Sequence, residues 1–144
     1  MIKFLDLSAQ YQSIKPEIDQ TIQRVIENSA FIGGKYVAQF EESFAEYVSA
    51  NYCVGVANGT DALEIAIEAL DMPAESEIIV PANSFIASSE SVTRTGHRVV
   101  FADVDNESYV ISVEDVRRRI TSKTKAIMAV HLYGHSCDMD ALID

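Results

Sequence analysis

At 144 residues the chain is long enough to bury one sizeable core, and 48% hydrophobic with 23% charged residues is ordinary for a globular domain. A formal net charge of −11 argues against nucleic-acid binding, which needs clustered lysine and arginine, and against an anionic membrane surface. Cys53 and Cys137 are too few for a disulfide framework, no apolar run reaches bilayer length, and charge interrupts Met1–Leu7 too early for a signal peptide; the expectation is a cytoplasmic protein with reduced thiols.

In chain order, Pro16 suits a first helical turn, and Ile18, Ile22, Val25 and Ile26 then share a face, predicting a helix that ends near Asn28. The pair Gly33-Gly34 breaks the chain before a second helix with the stripe Val37, Phe40, Phe44, Tyr47 and Val48. Cys53–Ala57 reads as a strand, followed by the turn Asn58-Gly59-Thr60 and a helix to Leu70. Glu77–Val80 is a buried strand stopped by Pro81; Asn83 or Ser84 can cap the next helix, and Gly96 can end it. Arg98–Val104 is the third strand. Ser112 with Asp115 forms a capping pair for a short helix to Ile120, where Arg117-Arg118-Arg119 complement the dipole. Ala126–His131 is the fourth strand, closed by Leu132-Tyr133-Gly134, and Asp138 would cap a further helix cut short at Asp144.

Two leading helices followed by βαβαβαβ imply a mostly parallel, doubly wound α/β sheet with helices on both faces. Ligands of such sheets lie off the carboxyl ends of the strands, which here are Asn58–Thr60, Pro81–Phe85 and His131–Gly134. A helix opening off a strand offers unpaired N–H groups and a positive dipole end to an anion. Gly59 admits close approach and Thr60 adds a hydroxyl, which is how a phosphate is held; an ordinary turn capped by Asn58 accounts for the same residues.

Other chemistries fit less well. No third glycine completes a dinucleotide fingerprint, and no lysine follows a glycine loop. In the calcium-like run Asp103–Glu107, Ser108 stands where the loop needs glycine, so a solvated turn is the better account. His131, His135 and Cys137 lack a metal-ligand spacing, and no metal is expected. Phe85 is a core aromatic by habit. Beside a phosphate cradle it is also a ring that can stack on a planar cofactor.

Several stretches together resemble the N-terminal part of the DegT/DnrJ/EryC1/StrS sugar aminotransferases: Phe4–Leu7, Phe31–Gly34 with Val37 and Phe40-Glu41, Ala57–Leu63, Val80–Ser88, Thr124–Ile127 and His131–Gly134. The resemblance implies an aspartate-aminotransferase-like fold (fold type I of the pyridoxal-phosphate enzymes), with a truncated large domain. Residues 1–50 would be a helical segment, and 51–144 the first half of the cofactor-binding α/β domain. It implies pyridoxal 5′-phosphate as cofactor, with Gly59 and Thr60, and more weakly Asn58, at its phosphate and Phe85 against its ring. His131 and Tyr133 would lie near the site, His131 as a weak cofactor contact.

By the same resemblance, the whole enzyme moves an amino group, commonly from glutamate, onto a nucleotide-linked keto-sugar, and works as a homodimer. The family's cofactor-bonding lysine falls beyond Asp144, and Lys3, Lys15, Lys35, Lys123 and Lys125 do not match it, so this chain alone is expected to be inactive. The first strand of the family fold pairs with a late strand, so Cys53–Ala57 is expected to lack its neighbour, weakening the fold or driving self-association. The alternatives are a non-catalytic module for a phosphorylated ligand, half of a split enzyme, and a sugar dehydratase of the same family.

Overall fold

The computed structural model describes residues 4–144, so the expected surface position of Lys3 lies outside the described residues. The chain divides into two compact units, Met1–Gly55 and Val56–Asp144.

In the first unit, α1 spans Leu7–Glu27 and α2 spans Lys35–Tyr47. Asp6 caps α1 by accepting the Ala9 N–H at 3.0 Å, so Pro16 lies inside the helix rather than in its first turn. The capping carboxylate, not the proline, sets the start; Pro16 removes one internal hydrogen bond. None of the side chains of α1 is buried, and Ile22 and Ile26 of its stripe are exposed. Gly33 and Gly34 take φ of +58° and +79°, a left-handed turn that needs glycine, and α2 follows with Phe40 stacked on Phe44 at 5.6 Å.

Cys53–Ala57 is not a strand. The segment has no ladder partner, and the Gly55 N–H instead donates to Glu41 Oε1 at 2.7 Å. An apolar run becomes a strand only when another strand accepts its backbone groups, and none of the described strands does.

In the second unit, α3 (Gly59–Ala69) precedes β1 (Glu77–Pro81), α4 (Ile86–Arg94), β2 (Arg98–Ala102), α5 (Val113–Arg119), β3 (Thr124–Ile127), a 3-10 turn at Leu132–Gly134 and α6 (Met139–Ile143). The sheet has three strands in the order β2-β1-β3, all parallel, with Ile79 opposite Val100 and Ile127. It thus has one strand fewer than the four expected.

Alternation along β1 sends its side chains to two cores. Ile78 and Val80 pack with Ile67 of α3 and Val92 of α4. Ile79 packs on the other face with Ala102, Val110, Ile111, Val116 of α5 and Cys137. Helices therefore cover both faces, as a parallel sheet requires.

Strand ends come earlier than expected. β2 stops at Ala102, and Val104 turns to make an antiparallel bridge with Ile111. β3 starts at Thr124 and ends at Ile127, after which the Met128 N–H still reaches the Ile79 carbonyl at 2.8 Å. Gly96, at φ +77°, follows the end of α4, and Ser112 caps α5 by accepting the Asp115 N–H.

Candidate active site

Asn58 has extended backbone and accepts the Asp61 N–H at 3.0 Å, while its Nδ2 donates to Asp61 Oδ2 at 3.1 Å. Its carbonyl takes the Ala62 N–H. Both polar ends of the Asn58 side chain are thus engaged in capping. The first-turn donors of Gly59 and Thr60 remain, at the positive end of α3. A Cβ placed on Gly59 would meet no atom within 4 Å, so the space over this turn is open.

The N-terminus of α4 opens onto the same concavity. Phe85 is the N-cap residue of α4 and makes no side-chain capping bond, in place of the Asn83 or Ser84 cap expected. The Ser84 hydroxyl is turned instead to the Ser88 hydroxyl, at 2.8 Å. Free of the core, the Phe85 ring is 75% exposed.

A concavity of about 490 Å³ joins these pieces, lined by Asn58, Gly59, Thr60, Phe85, the Ser84–Ser88 pair and the apolar side chains Leu63, Ala87, Val130 and Leu132. Glu64 of α3 lies 2.7 Å from Arg94 of α4 as an ion pair, tying together the two helices whose N-termini frame it. One end offers backbone donors to an anion. Beside it stand an aromatic face and an apolar wall, a set that fits a planar phosphorylated group.

His131 is not among the lining residues. Its Nδ1 accepts the Cys137 N–H at 3.0 Å, across the loop that follows β3. Tyr133 sits on that loop, 85% exposed and in left-handed backbone. Ser84 and Leu132 fall within the strand-end stretches Pro81–Phe85 and His131–Gly134 but were not singled out as lining residues, and Ser88 and Val130 lie just outside those stretches. Among the described residues, no three of His, Cys, Asp and Glu gather into a metal-binding group, and no helix is long and apolar enough to cross a membrane.

The model of the DegT/DnrJ/EryC1/StrS aminotransferase family matches residues 12–144. The chain belongs to this family. One relative within it, the dTDP-3-amino-3,6-dideoxy-alpha-D-galactopyranose transaminase of Aneurinibacillus thermoaerophilus, is 45% identical over 142 residues, which are 99% of this chain and 39% of the relative. Among solved structures, S. venezuelae DesV superposes with a TM-score of 0.94 at 37% identity, over 99% of this chain and 38% of that one. An E. coli GDP-4-keto-6-deoxy-D-mannose-3-dehydratase, solved with bound hydrated PLP, gives 0.81 at 33% identity, over 85% of this chain and 33% of its own. The family's aminotransferase-like α/β architecture is thus shared across nearly the whole chain, while the chain spans about two fifths of the curated relative's length.

Proposed function

We propose that this chain is the N-terminal part of a pyridoxal-phosphate-dependent aminotransferase acting on a nucleotide-linked keto-sugar, with glutamate as amino donor. The observation that carries the reading is the convergence, in one concavity, of the open Gly59-Thr60 turn at the N-terminus of α3 and the exposed ring of Phe85. In this reading residues 51–144 are the first half of the cofactor domain behind a helical segment 1–50, and the whole protein is a cytoplasmic homodimer.

When bound, the cofactor's pyridine ring supplies the electron sink for moving an amino group. The chain's own residues bind and orient it. The Gly59 and Thr60 N–H groups and the Thr60 hydroxyl would hold the phosphate, helped by the dipole of α3. Asn58 keeps the turn in shape by capping, which makes its contribution to the phosphate indirect. Phe85 would offer the ring an aromatic face to pack against, and the apolar side chains Leu63, Val130 and Leu132 would keep water from that side of the concavity. Neither lysine of the second unit, Lys123 or Lys125, lines the concavity, and in this reading the chain's own binding is non-covalent and without turnover.

Equilibrium dialysis of pyridoxal phosphate against the chain, with and without borohydride, tests this. Phe85→Ala is expected to weaken binding about threefold to tenfold, the worth of one stacking contact, while thermal stability changes by less than about 0.5 kcal/mol because the ring is exposed. A stoichiometric borohydride-fixed adduct on one of the chain's lysines, or undiminished binding by Phe85→Ala, sinks the reading. A sugar dehydratase is the second reading, favoured by the likeness to the E. coli dehydratase. It keeps the same cradle and ring contact and differs in the reaction; product analysis of the whole enzyme separates the two.

A further inference from the structure

The loop after β3 is tied across its base by two bonds to one residue. The Cys137 N–H donates to His131 Nδ1 at 3.0 Å, and Cys137 Sγ donates to the Val130 carbonyl at 3.3 Å. Cys137 itself is a buried member of the core that contains Ile79 and Val116. Between these ends the backbone is contorted. His131 (φ −77°, ψ 69°) is the centre of an inverse γ-turn, with the Leu132 N–H on the Val130 carbonyl at 2.9 Å. Tyr133 is left-handed at φ +57°, a conformation unfavourable for a bulky residue that persists where its surroundings over-determine it. Val130 and Leu132, the neighbours of His131 on either side, both line the concavity with Gly59, Thr60 and Phe85.

We propose that His131 is a positioning residue. Its Nδ1, as acceptor, locks the 130–137 loop to the core through Cys137 and so holds the Val130 and Leu132 wall of the concavity in place; it does not contact the ligand. The proposal rests on the cofactor reading only for the identity of the ligand. A neutral imidazole accepting at Nδ1 carries its proton on Nε2, so the two ring nitrogens make different demands on a replacement. Asparagine places a side-chain acceptor as many bonds from Cα as Nδ1, and glutamine as many as Nε2. A clamp through Nδ1 is therefore rescued by H131N and lost in H131Q, and a ligand contact through Nε2 shows the reverse.

The test uses the 144-residue chain, H131N and H131Q, with amide hydrogen exchange read by NMR alongside equilibrium dialysis of pyridoxamine 5′-phosphate. H131N is expected to keep Cys137 and Leu132 protection within about twofold and to bind as the parent does. H131Q is expected to lose at least tenfold protection at both amides and to bind at least threefold more weakly, with the Ile79 amide unchanged as a check on folding. Retained Cys137 protection in H131Q overturns the proposal. So does loss in both variants with Ile79 intact, or an H131N chain that keeps Cys137 protected yet loses binding. A parent chain that binds no pyridoxamine phosphate overturns the cofactor reading alone, and the exchange pattern still decides the clamp.

Discussion

Asp115 is 5% exposed and accepts the Asp103 N–H at 2.8 Å, Arg118 Nη2 at 2.9 Å and Arg119 Nε at 3.2 Å. The Asp103 N–H first, and then the Arg118 guanidinium, hold its carboxyl below the usual carboxylate range. A pKa lowered by folding stabilises the protein above the unfolded value, about 3.9, and that contribution disappears as pH falls through the folded pKa. The melting temperature is thus expected to drop as pH is lowered past about 4. Asp115→Asn should melt lower at pH 7 and show a flatter acid limb; an unchanged acid limb refutes the assignment. Sequence spacing reached half of this arrangement. Ser112 and Asp115 are three residues apart and legible as a capping pair, whereas the Asp103 donor comes from beyond the end of β2, and only the folded chain brings it to α5.

At the scale of elements, α3 shows how much one capping residue carries. Asn58 satisfies the Asp61 N–H and presents the first turn at the concavity. Asn58→Ala is expected to cost about 1 kcal/mol in urea denaturation, and Asn58→Ser to recover most of it, because a serine hydroxyl can still cap. Capping was readable here and at Ser112 and Asp138, since a cap depends on residues three apart. Reading failed where two local signals competed. Pro16 looked like a helix start, but Asp6 upstream offered a better one; Ser84 looked like the cap of α4, but its hydroxyl found Ser88. Strand ends were misjudged for a related reason: composition marks an apolar run, while the ladder stops where the neighbouring strand stops.

For the molecule as a whole, the second unit is organised by β1, the central strand, whose side chains supply both cores. Ile79 is fully buried among Ala102, Ile111 and Val116, so Ile79→Ala is expected to destabilise by about 2–5 kcal/mol in urea denaturation. A cost under 1 kcal/mol would mean that this face does not pack as described. Burial of Ile78, Ile79 and Val80 was legible because an uninterrupted β-branched run suits a strand covered on both sides.

The amino-acid sequence by itself determined the helices, the caps at Asn58, Ser112 and Asp138, the glycine turns and the parallel α/β class, because each depends on contacts within a turn or two of chain. It also put Phe85 at the carboxyl end of β1, but it set Gly59 and Thr60 beside it by way of a strand at Cys53–Ala57 that does not form; the concavity is what brings the three together. Only the tertiary structure decided that Cys53–Ala57 has no ladder, that β1 lies between β2 and β3, and that the His131 imidazole turns to the Cys137 amide rather than into the concavity. Those outcomes depend on which distant backbone groups come within hydrogen-bonding reach, and a hydrogen bond takes whichever partner the packed chain delivers at 3 Å.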